Sequence, residues 1–245
     1  VLRIRVPEFS KTNKISRIKN ILNYFLGAMA ATFKVGKQDY VFSISQPPIL
    51  GGLIGVWGKW VKHAKFIYNI QDFNPEQTMA VGYSRNKLVL KAMMWFDKFS
   101  CRQSNLVITV GRDLVETMEK RFEGRKVPKT ILINNWIDEK SIYPLPLNDE
   151  KVTAFKRQYG LEGKFVIMYS GNIGLYYDLD NIIKVIEKFK GVKTPDDCDV
   201  VFAFVGVGSV LDKIMLYVKE HHMDNVVFIP YQAKNELNYS LNSAD

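Results

Sequence analysis

Lys65-Phe66-Ile67-Tyr68-Asn69-Ile70-Gln71-Asp72-Phe73-Asn74-Pro75-Glu76 decides how the first half of this 245-residue chain folds. Six residues rich in β-branched and aromatic side chains end in a cluster of polar turn formers and a proline, the pattern of a short strand that stops at a loop. Working outward, the same unit recurs. Tyr40 to Ile44 is an apolar run closed by Ser45-Gln46-Pro47-Pro48, and residues 49–62 between the two runs read as a glycine-bearing helix. Downstream, residues 85–103 read as a long helix with Leu88, Ala92, Trp95, Phe96 and Phe99 as its apolar stripe. Residues 106–110 (strand), 112–122 (helix) and 130–133 (strand) follow. Strands separated by helices are βαβ units, and they imply a parallel sheet covered by helices.

Asn134-Asn135-Trp136-Ile137-Asp138 and the proline-bearing Tyr143-Pro144-Leu145-Pro146 interrupt this alternation, which then restarts. Helices are expected over 150–159, 179–189, 210–221 and 235–241, and strands over 165–169, 200–205 and 226–229. The charge changes sign at the same place. Residues 1–140 carry 23 basic and 11 acidic side chains (+12), and residues 141–245 carry 11 and 14 (−3). The expected organisation is therefore two Rossmann-like domains, 1–140 and 141–245. Two distant cysteines, Cys101 and Cys198, fit a reducing compartment without a disulfide. Three histidines without spaced partners predict no metal site. No apolar run is long enough to span a bilayer and no signal-peptide layout is present.

Open α/β sheets bind ligands where strands end and helix N-termini offer free N–H groups. Three such turns stand out. Tyr169-Ser170-Gly171-Asn172-Ile173-Gly174 could let backbone approach a diphosphate, with Asp178 or Asp180 capping the next helix. Phe204-Val205-Gly206-Val207-Gly208-Ser209 repeats that logic, with Ser209 as a plausible N-cap. It lacks the third glycine of a dinucleotide fingerprint, and no phosphate-binding Gly-x-x-x-x-Gly-Lys-Ser/Thr occurs, which disfavours hydride transfer and P-loop chemistry. Gln71-Asp72 supplies an amide and a carboxylate that could orient a substrate hydroxyl or take its proton, or Asp72 could simply cap its loop.

Taken in order, residues 39–48 (Asp-Tyr-Val-Phe-Ser-Ile-Ser-Gln-Pro-Pro), 65–76, 105–114, 131–138, 168–174 (Met-Tyr-Ser-Gly-Asn-Ile-Gly), 204–209 and 225–231 (Asn-Val-Val-Phe-Ile-Pro-Tyr) closely resemble the family-4 glycosyltransferases. These are retaining sugar-nucleotide enzymes of the GT-B fold, and the likeness is greatest to the branch that builds bacterial surface polysaccharides of the colanic-acid and O-antigen type. The resemblance implies an α/β protein of two Rossmann-like domains facing a cleft, acceptor side first and donor side second, incomplete at both termini. It implies that Gly171, Asn172 and Gly174 lie against the donor diphosphate, that Gly206 and Gly208 belong to the nucleotide pocket, and that the turn at Tyr231 holds the base. Gln71 stands where many members have a histidine touching the donor sugar, so Gln71 and Asp72 are the candidate catalytic residues. Asn135 and Asp138 are expected to do structural work. The basic residue that many members place after the first glycine turn is missing from Leu175-Tyr176-Tyr177-Asp178. No cofactor is implied beyond a nucleotide-diphosphate sugar as substrate, and no metal. A sugar-nucleotide epimerase of the same fold and a non-catalytic nucleotide-sugar-binding or membrane-adaptor module are the alternatives.

Residues 1–38 hold eight basic side chains against one acid, and Ile15, Ile18, Leu22, Phe25 and Leu26 recur at helical spacing. Residues 11–34 would suit an anionic membrane face, giving a cytoplasmic protein peripheral on the inner face of the cell membrane and acting on a lipid-linked or saccharide acceptor. The competing reading packs the apolar stripe into the domain. No nucleic-acid-binding motif is present.

Overall fold

The computed structural model describes residues 1–7, 14–80, 86–146 and 148–245. It divides into two compact units, 1–135 and 136–245, and the division falls ahead of the 140/141 boundary expected from the charge change.

The first unit is built from α1 (Lys14–Lys34), β1 (Tyr40–Ile44), α2 (Leu50–Lys62), β2 (Lys65–Ile70), α3 (Glu76–Ala80), α4 (Lys87–Gln103), β3 (Leu106–Thr109), α5 (Arg112–Arg121) and β4 (Thr130–Leu132). Its four strands are all parallel, in the order β1-β2-β3-β4. Alternation in β2 places Phe66, Tyr68 and Ile70 in the core beside Val56, Phe73, Val107, Met118 and Phe122. The glycines of α2 let that helix lie unusually close: a Cβ on Gly55 would sit 2.1 Å from the Phe66 ring, and one on Gly52 2.7 Å from the Ser100 Cβ. α1 packs on α2, which packs on β1, β2 and α4.

The second unit comprises α6 (Glu150–Gln158), β5 (Lys164–Ser170), a 3-10 turn (Leu175–Tyr177), α7 (Leu179–Glu187), β6 (Asp199–Val205), α8 (Leu211–Glu220), β7 (Val226–Ile229) and α9 (Leu237–Leu241). Its sheet is parallel in the order β5-β6-β7. Two cores cover it. One joins α7 and α8 through Ile183, Ile186, Phe204 and Ile214; the other joins α6 and the opposite side of the sheet through Phe155, Val166, Val201 and Ile229. Burying on the order of ten large apolar side chains per layer, at ~1.5–3 kcal/mol each, is the main force holding either unit together.

The apolar stripe of α4 is split: Phe99 packs against the core, whereas Leu88 is 77% exposed and Trp95 58%, and Asp97, Ser100 and Cys101 point inward. Two capping expectations fail. Ser209 is not an N-cap, because Val210 holds that position and makes no side-chain cap. Asp178 stands at the N-cap of α7 in a left-handed conformation, but its carboxylate accepts from the Asn181 side-chain amide (3.0 and 3.1 Å) and not from backbone. Asp180 lies in the first turn of α7 and pairs with Lys213 (2.5 Å). Residues 11–13 and Arg85, parts of two expected helices, lie outside the described residues.

Candidate functional site

In the second unit the strand ends converge on one concavity of about 470 Å³, lined by Ser170, Gly171, Asn172, Val205, Gly206 and Val207 from the first two strands and by Tyr231, Gln232, Lys234 and Leu237 after the third. Two loops are zipped together beneath it. The Gly171 N–H donates to the Val205 carbonyl (2.9 Å), the Ile173 N–H to Val207 (3.0 Å), and the Val210 N–H to Ile173 (3.2 Å), so the parallel ladder continues past the strands. Gly206 makes this approach possible. Its φ is +137°, which L side chains rarely adopt, and a Cβ there would lie 2.0 Å from the Gly171 carbonyl oxygen. Gly208 backs onto the Ile173 carbonyl in the same way.

Gly171 is a different kind of glycine. It is exposed, its φ lies outside the left-handed region, and a Cβ would meet nothing closer than the Tyr169 hydroxyl at 3.7 Å. Packing does not require a glycine at this position, whereas an approaching ligand gains room from one. Next to it, the Asn172 carbonyl is held by the Tyr169 hydroxyl (2.8 Å) and the Gly174 N–H (2.9 Å). Partial burial and the nearby Tyr177 lift the Tyr169 phenol above its ordinary range, which keeps it a donor.

Of the six residues read as nucleotide-binding, Gly171, Asn172, Gly206 and Tyr231 line this concavity. Gly174 is buried behind Asn172, and Gly208 sits under the neighbouring loop. The amides of Gly171, Ile173 and Gly174 are already committed to backbone carbonyls, so from 171 to 174 only the Asn172 N–H has no described backbone partner. Those of Val207, Gly208 and Ser209 have none among the described residues either. Donors for an anion therefore come more from the second loop than from the first. Sequence reading also missed the cation: none follows Gly174, but Lys234 enters the concavity from beyond β7. Its only signal in sequence is that it comes four residues after Pro230, at the end of the third strand of a parallel set.

In the first unit the ends of β1 and β2 carry a polar cluster around Gln71. Its backbone N–H donates to Ser45 Oγ (3.1 Å), its side-chain amide donates to Asn69 Oδ1 (3.0 Å), and its Oε1 accepts from Asn135 Nδ2 (2.9 Å). Gln71 thus keeps one amide hydrogen for a ligand, and Asn135 fixes its carbonyl oxygen. Asp138 is bound locally to Ser141 Oγ (2.7 Å) and the Lys140 N–H (3.2 Å), which hold its carboxyl below the usual range. Asp72 is exposed, yet partial desolvation lifts its carboxyl above the ordinary range. The charge of Asp113 adds to this and a hydrogen bond with Gln77 opposes it.

The loop that carries Asp72 is anchored by a buried cluster that sequence reading did not single out. Arg121 of α5 pairs with Asp97 of α4 and with Glu76, donates to the Asn74 carbonyl (2.8 Å), and lies over the Phe73 ring (4.0 Å). The Tyr68 hydroxyl donates to the second Asp97 oxygen (3.0 Å). Burial raises the Asp97 carboxyl even against the pull of Arg121, and it raises the Tyr68 phenol well above its usual value, with Asp97 contributing. With every charge answered, the residues after Asp72 are fixed from three sides.

No family model matches the chain. It is 22% identical over 243 residues to a Pseudomonas aeruginosa protein named as a glycosyltransferase, WbjE, covering 98% of this chain and 58% of that protein. It is 25% identical over 187 residues to an Escherichia coli protein named as a colanic acid biosynthesis glycosyl transferase, WcaI, covering 74% and 43%. The chain therefore spans about half the length of the curated relatives it matches. Among solved structures, sucrose-phosphate synthase of Thermosynechococcus elongatus superposes with a TM-score of 0.70 at 14% identity, covering 99% of this chain and 57% of that one. WaaG, a glycosyltransferase involved in lipopolysaccharide biosynthesis, gives 0.63 at 13% identity over 99% and 60%. TarM of S. aureus, in a complex that contains UDP, gives 0.56 at 17% over 92% and 39%. The two parallel-sheet units of this chain have the fold of the GT-B glycosyltransferases.

Proposed function

We propose that the protein is a retaining glycosyltransferase that moves a hexosyl or N-acetylhexosaminyl unit from a nucleotide-diphosphate donor to a lipid-linked or saccharide acceptor in bacterial surface-polysaccharide assembly. The observation that carries this reading is the pairing of the exposed Gly171-Asn172 step with Lys234 and Tyr231 in one concavity at the ends of three parallel strands. A ligand with an aromatic base and two phosphates matches that lining. The base lies against the turn at Tyr231, and the diphosphate takes the N–H groups of Asn172 and the 207–209 loop and the charge of Lys234. As the sugar leaves, charge builds on the diphosphate, and fixed amide dipoles and an ammonium stabilise it without reorganising. No metal enters this scheme. Gln71, with one free amide hydrogen, and Asp72 serve the sugar or acceptor side.

Names of the curated relatives and the UDP in the TarM complex support the donor class. Retention is carried by the family resemblance alone. In the same reading the protein is cytoplasmic and peripheral on the inner membrane face, and α1 with its basic residues meets anionic lipid. No helix among the described residues is long and apolar enough to cross a membrane.

The test is a thermal-shift panel of nucleotide sugars at low and moderate salt, repeated with Lys234→Gln. One class of nucleotide sugar is expected to raise the melting temperature, and the variant to bind that class roughly five- to ten-fold more weakly, the gap narrowing as salt screens the charge. A wild-type protein that no nucleotide sugar stabilises ends the transferase reading.

A further inference from the structure

The helical layer of the first unit has the wrong face outward for a protein that meets only water. α4 turns Leu88, Val89, Trp95 and Phe96 to solvent and buries its one acid, Asp97, which is 3% exposed and paired with Arg121. Its outward charges are all basic: Lys87, Lys91 and Arg102. The aromatic surface continues onto the neighbouring helix, since Phe99 stacks on Trp95 (ring centroids 5.8 Å) and meets Trp60 of α2 edge-on (6.2 Å), and Trp60 is itself exposed.

α1 packs on α2 and α2 on α4, so the three helices form one continuous layer. By sequence they carry ten basic residues and no acid other than the buried Asp97. α1 joins the layer through Met29, Thr32 and Phe33 against Trp57, which leaves Ile18, Leu22 and Leu26 exposed as well.

From this we infer that the outer face of α4, with Trp60 of α2, is an interfacial membrane surface that seats on anionic lipid. The occupant follows from the chemistry of the patch. Tryptophan and phenylalanine bodies favour the boundary between acyl chains and headgroups, and lysine and arginine stems reach the headgroup charges beside them. A layer without exposed acid is matched by a surface of uniform negative charge. This inference deepens the peripheral-membrane part of the proposed function, for it rests on that part and moves the principal contact from α1 to α4. It does not depend on sugar transfer.

The experiment is co-sedimentation of the full chain with vesicles of phosphatidylcholine alone and of equimolar phosphatidylcholine and phosphatidylglycerol, with and without added salt. Three proteins are compared: wild type, a Leu88→Asp/Trp95→Asp variant, and a Leu22→Asp/Leu26→Asp variant of α1. Circular dichroism verifies the fold and light scattering the oligomeric state. Because the substituted residues are solvent-exposed, folding is expected to persist; Lys87→Glu/Lys91→Glu provides a second route if it does not. Binding is expected only with the anionic vesicles, weakened by salt, and reduced about ten-fold or more by either α4 variant but less by the α1 variant. If wild type binds and the α4 variants bind equally well, the surface is misassigned while the membrane reading stands on α1. If wild type binds neither vesicle, both fail and the transferase reading is untouched. A wild-type dimer that the α4 variants dissociate identifies a second copy as the occupant and overturns the lipid assignment.

Discussion

The two kinds of glycine at the concavity of the second unit make opposite predictions. Replacing Gly206 by alanine asks an L-residue to hold φ near +137° and places a methyl 2.0 Å from the Gly171 oxygen, far inside contact distance. The backbone strain alone is about 1–3 kcal/mol. Relieving the clash means parting the loops, with loss of the Gly171–Val205 hydrogen bond and strain on the bond from Gly206 N–H to Ile229, at about 0.5–1.5 kcal/mol each. The sum, about 2–6 kcal/mol, is a large share of the stability of a unit this size and corresponds to a melting decrease of at least roughly 10 °C. Gly171→Ala meets only ordinary contact at 3.7 Å, so its stability is expected to stay within about 0.5 kcal/mol of wild type or rise slightly. Its nucleotide-sugar affinity, by contrast, is expected to fall roughly ten-fold, because the methyl occupies the space a diphosphate needs. Urea titration reports the first quantity and calorimetric titration with a stabilising nucleotide sugar the second. A Gly206→Ala protein as stable as wild type refutes the loop argument, and a Gly171→Ala protein that binds normally removes the donor from this position.

Two further predictions concern the first unit. Arg121→Met leaves Asp97 buried without its cation and frees the loop after Asp72, so it is expected to cost about 3–5 kcal/mol in urea unfolding; a loss below about 1 kcal/mol would mean that the cluster does not hold the loop. Asp72 has a folded-state carboxyl raised above its unfolded value, so its contribution to stability is fully present below the unfolded value and is lost as pH rises through the folded one. Asp72→Asn is accordingly expected to be at least as stable as wild type at neutral pH, with the difference vanishing in acid; a variant clearly less stable at neutral pH reverses the sign and the argument.

Much of the fold was legible because strand formation here obeys local rules. In β2 every second residue is buried and the turn chemistry after Ile70 ends the strand where the polar residues begin. The concavity of the second unit was half legible: Gly171, Asn172, Gly206 and Tyr231 stand in motifs and line it together, but Lys234 reaches them only through the packing of three strands, which no single motif encodes. α4 shows why the remainder was hidden. Periodicity assigns the apolar stripe to the core on the assumption that a helix has one apolar partner, namely the core itself. That assumption fails when a buried polar residue is satisfied from far along the chain. Arg121, on a different helix, makes an inward Asp97 tolerable; Tyr68 supplies the second hydrogen bond; and the small Ser100 fits against the glycine face of α2. With the inner face specified by these long-range partners, the outer face is free to carry tryptophan, phenylalanine and leucine. Phe99 and Cys101 serve the core, whereas Leu88, Trp95 and Phe96 turn outward, and this is why the surface of α4 calls for a partner outside the unit.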